Sequence, residues 1–230
     1  MTVFLSEFLG TAVFLFFGVG TNFALGFRKK KDLFFLACGW AIAVLLGGLV
    51  AAPSGSHLNP AFTLALAMDG TIHEELIKEY ISGQLLGSIT GSLLAYLVYA
   101  LQFHKDTIEE TIHLFVTAPA ISFWPLNLLS ELITTCVMVF VVRISMMQGY
   151  IHGMERLMMM LVMMGLGMAF GSVTGFALNP VKDLGPRIAH FLLPLRHKSM
   201  SNWGYALVPV LGSILGALLA VWLVQVYHIW

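Results

Sequence analysis

Two short segments carry asparagine followed by proline, and they hold the residues with the clearest potential for binding a solute. Asn59-Pro60-Ala61 lies in SGSHLNPAFT and Asn179-Pro180-Val181 lies in TGFALNPVKDLGP, so the asparagines are 120 positions apart (59 and 179). Asparagine is a favoured N-cap and proline a favoured first residue of a helix, so each pair predicts a helix start. The asparagine amides and the helix starts could together donate hydrogen bonds to the oxygen of a neutral solute.

The rest of the sequence is typical of a membrane protein. Hydrophobic residues make up 58% of the 230 residues and charged residues only 10%, a composition that a water-soluble domain of this size would not support. Six apolar runs are near or above the ~20 residues that a helix needs to cross ~30 Å of hydrocarbon. They are residues 3–26, 33–52, 80–102, 119–147, 157–174 and 203–228. The sequence predicts an all-α, multi-pass membrane protein with six transmembrane helices.

The sequence also contains an internal repeat. SEFLGT at 6–11 resembles SELITT at 130–135, and LLGSITGSLLA at 85–95 resembles VLGSILGALLA at 210–220. These similarities predict a single domain, 1–230, built from the repeats 1–118 and 119–230. Each repeat would have three spans and one Asn-Pro segment. Because three is odd, the second repeat enters the membrane from the opposite side, which makes the repeat inverted.

The Asn-Pro segments are too short to cross a membrane alone. Residues 60–69 and 180–191 would form helices of ~15–18 Å, about half the bilayer. In an inverted repeat these half-helices meet at the midplane with the positive ends of their dipoles facing each other. Non-helical loops at that depth must line water or be buried in protein. We therefore expect a central aqueous pore that passes neutral hydroxyl compounds and repels cations, hydronium included.

Two acidic residues, Glu7 and Glu131, occupy equivalent positions in the two repeats. A carboxylate inside a membrane is costly unless it faces the protein interior and accepts hydrogen bonds. We expect these two to hold the backbone of the pore loops. The alternative is a proton relay or ion site, although neither residue has a partner acid or base nearby in the sequence.

Several other function classes are not indicated. The formal net charge is zero, so no basic surface suggests nucleic acid. No set of nucleophile, base and acid suggests an enzyme, and no cluster suggests a metal site. A coupled secondary transporter remains an alternative, because transporters also use inverted repeats and broken helices.

The sequence resembles the aquaporin family, also called the major intrinsic protein family, along essentially its whole length. The matching features, in order, are SEFLGT, SGSHLNPAFT, Gln84, SELITT and GFALNPVKDLGPR, and Asp183 resembles the glycerol-facilitator branch. The resemblance implies a right-handed bundle of six transmembrane helices and two half-helices. It also implies a homotetramer in the lipid of the cell membrane, with one pore per subunit and no cofactor.

The function implied is that of a passive channel for glycerol, other small neutral solutes and water, which excludes protons and ions. The alternative is a water-selective channel, or one for urea, peroxide or gases with a modified filter. The resemblance further implies that His57 and Asp183 help to hold the pore loops, with a hydrogen-bonding position in the pore lining as the alternative for His57.

The resemblance implies a constriction lined by four positions. Phe176 and Gly167 match the glycerol pattern, in which a small residue leaves room for an aromatic wall. Lys182 stands where the family has arginine, and Val181 where it usually has alanine. Lysine lacks the planar fork that binds two hydroxyls at once. Lys182 either projects into the constriction or turns towards Asp183 or solvent.

The remaining position of the constriction is Trp40 or Gly39, depending on whether one residue is deleted in the following loop. We favour Trp40, because a large aromatic face suits the CH edge of a polyol. The alternative role for Trp40 is an anchor at the membrane interface.

We expect the membrane orientation that the resemblance implies, because folding of the inverted repeat can override the charges of the loops. The resemblance implies cytoplasmic termini, which would place Arg28, Lys29, Lys30, Lys31, Lys105, Arg196 and Lys198 outside and only Lys78, Arg143 and Arg156 inside. The distribution of positive charge in the loops favours the opposite orientation.

Overall fold

The computed structural model describes residues 1–105, 108–148 and 153–226, and the following refers to these residues. They form ten α-helices and no β-strand: α1 Val3–Phe27, α2 Leu33–Val50, α3 Pro60–Met68, α4 Ile77–Val98, α5 Ala100–Lys105, α6 Ile112–Phe115, α7 Trp124–Met147, α8 Met154–Thr174, α9 Pro180–Leu192 and α10 Leu207–Val226. Two 3₁₀ turns, Ala52–Ser54 and Glu74–Leu76, precede α3 and α4. Six helices are long and apolar enough to cross a membrane: α1, α2, α4 with its preceding turn, α7, α8 and α10. The predicted all-α membrane fold is confirmed.

Where a loop next to a helix is itself apolar, the helix begins or ends at a different residue from the apolar run. The fourth run begins at residue 119, but α7 begins at Trp124 with Pro125 in its first turn, a position that proline tolerates. The second run ends at residue 52, whereas α2 ends at Val50 before a 3₁₀ turn that contains Pro53. The sixth run extends to residue 228, beyond the described residues. Hydropathy alone does not detect these breaks.

The two half-helices begin at the predicted prolines. The side chains of Asn59 and Asn179 cap α3 and α9, accepting hydrogen bonds from the backbone N–H groups of Ala61 at 2.9 Å and Val181 at 3.0 Å. α3 has 9 residues and α9 has 13, which gives lengths of ~14 Å and ~20 Å. Each half-helix therefore reaches only part of the way across a bilayer.

Glycines let two pairs of transmembrane helices approach closely. A Cβ atom added to Gly87 of α4 would lie 2.3 Å from the carbonyl oxygen of Phe8 in α1. At the equivalent crossing, a Cβ atom on Gly216 of α10 would lie 2.3 Å from the carbonyl oxygen of Leu132 in α7. Backbone atoms fill the space at both crossings, as expected for small residues at membrane helix interfaces. The crossings bring Gln84 of α4 beside Glu7 of α1.

Gly87→Ala should destabilise the protein, because the added methyl group forces the backbones of α1 and α4 apart. Overpacking of this kind costs about 1–3 kcal/mol of unfolding free energy. Gly165→Ala is the matched control, since a Cβ atom on that helical glycine meets no atom within 4 Å. Thermal unfolding in detergent should show a lower midpoint for Gly87→Ala only. Equal midpoints for both variants would contradict close packing at Gly87.

Candidate functional site

The two Asn-Pro segments meet inside the protein through a reciprocal pair of hydrogen bonds. Nδ2 of Asn59 donates to the carbonyl oxygen of Leu178, and Nδ2 of Asn179 donates to the carbonyl oxygen of Leu58, both at 2.9 Å. An amide nitrogen carries two hydrogens, and among the described residues each amide has this one acceptor. Each asparagine therefore keeps a second N–H for a solute. The positive ends of the α3 and α9 dipoles converge at the same place.

The loops before the half-helices follow the same backbone path. Ser56 and Leu58 have positive φ angles of 63° and 54°, and Phe176 and Leu178, 120 positions later, have 45° and 58°. Residues other than glycine rarely adopt this backbone conformation, because it costs of order 1–3 kcal/mol per residue. Strong polar contacts must therefore hold both loops.

Glu7 holds the first loop through four hydrogen bonds. Its Oε1 accepts from Oγ of Ser54 at 2.5 Å and from the backbone N–H of His57 at 3.0 Å. Its Oε2 accepts from the backbone N–H of Leu58 at 2.7 Å and from Nε2 of Gln84 at 2.8 Å. A carboxylate offers about four acceptor positions, so these donors satisfy it inside the protein.

Glu131 makes the equivalent contacts in the second loop. Its Oε1 accepts from the backbone N–H of Ala177 at 3.1 Å, and its Oε2 from that of Leu178 at 2.9 Å. Both glutamates are buried. Each thus binds two consecutive N–H groups of the chain just before a capping asparagine.

His57 and Asp183 lie at opposite ends of the site. Nδ1 of His57 lies 3.0 Å from Oγ1 of Thr63, and the imidazole ring stacks on Tyr80 with the ring centroids 4.2 Å apart. Asp183 accepts two hydrogen bonds from Arg187, at 2.7 and 2.8 Å. His57 therefore joins the first loop to α3 and α4.

Arg187 is a positioning residue that the sequence alone did not identify. Its Nη1 donates to the carbonyl oxygens of Ser201 at 2.6 Å and Asn202 at 2.8 Å. Asp183 and Arg187 therefore fix the loop between α9 and α10. The spacing of four residues between an acid and a base on a predicted helix was the available signal.

The structure brings the four predicted constriction residues together. Nζ of Lys182 donates to the carbonyl oxygen of Phe176 at 2.6 Å and lies 3.9 Å from the centroid of the Phe176 ring. The same nitrogen lies 4.3 Å from the centroid of a Trp40 ring. A Cβ atom on Gly167 would lie 3.1 Å from the Phe176 ring, so the glycine leaves room for that ring. Lys182 thus faces Trp40 and Phe176, while Asp183 binds Arg187.

The neighbouring residue Gly39 faces the other way. A Cβ atom there would lie 2.4 Å from the side chain of Thr21 in α1. The Trp40 indole is held by a hydrogen bond from its Nε1 to Oδ1 of Asn22 at 3.0 Å and by edge-to-face contact with Phe14. Nothing in the sequence pattern indicated the role of Asn22.

Cavities open on both sides of the constriction. The cavity on the Trp40 side has a volume of about 710 Å³, and Asn22, Lys30, Lys31 and Thr117 are among its lining residues. The cavity on the opposite side measures about 40 Å³ and includes His57, Leu58, Phe62 and Arg156 in its lining. The described residues contain no group of three His, Cys, Asp or Glu side chains that could hold a metal ion. We refer to these two cavities as the vestibules; Trp40 borders the larger one and the first pore loop borders the smaller one.

Glu131→Gln should lower the free energy of unfolding, because the glutamine keeps one acceptor oxygen and turns an NH₂ group towards a loop N–H. The loss of a charged acceptor for a buried donor costs about 1.5–3 kcal/mol. Thermal unfolding in detergent measures the effect, with Glu75→Gln on an exposed residue as the control. If both variants unfold like the parent, Glu131 does not hold the loop.

Comparisons with known proteins agree with this geometry. The sequence model of the family described as Major intrinsic protein matches residues 1–223. The chain is 37% identical over 226 residues to glycerol uptake facilitator protein 2 of Lactiplantibacillus plantarum, covering 94% of this chain and 95% of the relative. It is 39% identical over 226 residues to the glycerol uptake facilitator protein of Bacillus subtilis, covering 94% and 81%. The structure of the aquaglyceroporin from Plasmodium falciparum is similar with a TM-score of 0.86 at 29% identity, covering 96% of this chain and 94% of that one. The chain belongs to the major intrinsic protein family.

Proposed function

We propose that this protein is a passive channel for glycerol, other small neutral solutes and water across the cell membrane, and that it is not an enzyme. The observation that carries the proposal is the convergence of two helix N-termini, each with an asparagine amide that keeps a free N–H. The proposal is further supported by family membership and by relatives named as glycerol uptake facilitators.

The chemistry of the site suits a polyol. The free amide hydrogens of Asn59 and Asn179 can donate to hydroxyl oxygens one after another as the solute passes. In the constriction, the aromatic faces of Trp40 and Phe176 suit the CH groups of the carbon chain, and the amine of Lys182 is a further donor. A solute with hydroxyls on one edge and CH groups on the other can satisfy both kinds of wall.

The same groups oppose the passage of cations. Each helix N-terminus carries about half a positive charge from its dipole, and α3 and α9 place two of them at the same depth. Lys182 adds a nearby amine. A sodium ion or hydronium ion would meet donors and positive charge at the point where it has lost most of its water.

The proposed channel is an assembly of several copies of this chain. We expect a homotetramer embedded in membrane lipid, with one pore per subunit, no cofactor and no nucleic acid partner. We also propose that 1–118 and 119–230 are the two repeats of one channel domain. The constriction is assigned to Trp40, Gly167, Phe176 and Lys182.

Liposomes containing the purified protein should equilibrate glycerol faster than empty liposomes in stopped-flow light scattering. A pH-sensitive dye inside the same liposomes should report no added proton flux, because the opposed dipoles repel hydronium. Glycerol flux equal to that of empty liposomes would contradict the proposal. Accumulation of glycerol against its gradient would instead indicate a coupled transporter.

Gly167→Leu should abolish glycerol flux, because its side chain would occupy the space beside the Phe176 ring. Gly165→Leu is the matched control two residues earlier in α8, where an added Cβ atom meets no atom within 4 Å. The control should conduct like the parent. If both variants are purified as folded proteins and conduct glycerol equally, Gly167 does not line the constriction.

A further inference from the structure

The constriction is closed in the described conformation. Trp40, Phe176 and Lys182 have relative exposures of 3%, 2% and 1%. Nζ of Lys182 lies 4.3 Å from the centroid of a Trp40 ring and 3.9 Å from the centroid of the Phe176 ring. The lysine side chain therefore fills the space between the two aromatic walls.

The aromatic walls of the constriction are held by neighbouring residues, whereas the lysine stem can rotate. The Trp40 indole is fixed by its hydrogen bond to Asn22. The Phe176 ring is packed against Gly167, where even a Cβ atom would lie within 3.1 Å. Lys182, in contrast, has a flexible four-carbon stem with rotatable bonds. Rotation of Lys182 about these bonds would open a path and leave Trp40 and Phe176 in place.

The contact that holds the lysine can be exchanged for a solute. Nζ of Lys182 carries at least two N–H groups, and among the described residues its one hydrogen-bond acceptor is the carbonyl oxygen of Phe176. A hydroxyl group can accept from that nitrogen, and a second hydroxyl can donate to the released carbonyl. One protein hydrogen bond is thereby replaced by two to the solute. A compound with two neighbouring hydroxyls is suited to this exchange.

We propose that Lys182 is a mobile latch, which closes the constriction by binding the Phe176 carbonyl and which a polyol displaces as it passes. The inference rests on the proposed channel function and adds a regulatory step at the same site. Two carboxylates lie near the lysine, and both are engaged elsewhere: Asp183 by Arg187, and Glu131 by the backbone N–H groups of the second loop. Lys182 therefore returns to the Phe176 carbonyl after each solute has passed.

Two substitutions distinguish the effect of the hydrogen bond on flux from the effect of side-chain volume. Lys182→Met keeps a long, unbranched stem and removes the donors, whereas Lys182→Ala removes both. If the bond to Phe176 keeps the constriction closed, both variants should raise glycerol flux in liposomes about ten-fold, which corresponds to the net strength of one hydrogen bond. Each variant is first checked by size-exclusion chromatography. If Lys182→Ala does not yield folded protein, Lys182→Met decides alone.

Lys198→Ala is the matched control. Lys198 also donates to a phenylalanine carbonyl, that of Phe191 at 2.5 Å, with its Nζ 5.5 Å from the centroid of that ring. It lies outside the constriction, so its removal should leave glycerol flux unchanged.

Three results would overturn the latch. A rise in Lys182→Ala but not in Lys182→Met would show that bulk alone closes the constriction. If the parent conducts glycerol and both variants conduct it at the same rate, the Lys182 side chain already lies outside the path of the solute in the working channel. Flux equal to that of empty liposomes in all four proteins would overturn the proposed channel function itself, and the latch with it.

Discussion

The structure depends on satisfying the polar backbone of two loops in the middle of a membrane. In hydrocarbon an unpaired N–H or C=O group costs several kcal/mol. Glu7 and Glu131 accept from the N–H groups just before each half-helix. Asn59 and Asn179 donate to the Leu178 and Leu58 carbonyls across the centre. With these groups paired inside the protein, the remaining amide hydrogens are available to a solute.

The packing of the transmembrane helices places the side chains that hold these loops. Glu7 lies on α1 and Gln84 on α4, and the close crossing of these helices at Gly87 brings the two side chains within hydrogen-bond distance. α7 and α10 cross in the same manner in the second half, where α7 carries Glu131. The close helix crossings and the buried carboxylates therefore position the loops together.

Much of this architecture could be predicted from local sequence, and some of it could not. The half-helices begin at Pro60 and Pro180 because an N-cap asparagine and a following proline act locally. The start of α7 at Trp124 was missed because the preceding loop is as apolar as a helix. The role of Asn22 depends on Trp40 in the next helix, and the acceptor of Lys182 depends on the fold of the loop before α9. The four-residue spacing signals the contact of Arg187 with Asp183, but nothing local indicates its bonds to the Ser201 and Asn202 carbonyls.

The central claim is that solute oxygens bind the free amide hydrogens of Asn59 and Asn179 at the meeting point of the half-helices. A high-resolution structure of the protein with glycerol tests it most directly. The account predicts glycerol or water oxygens within hydrogen-bond distance of Nδ2 of both asparagines, in a continuous file between the vestibules. An empty, dry space at the two amides, with glycerol bound elsewhere, would contradict it.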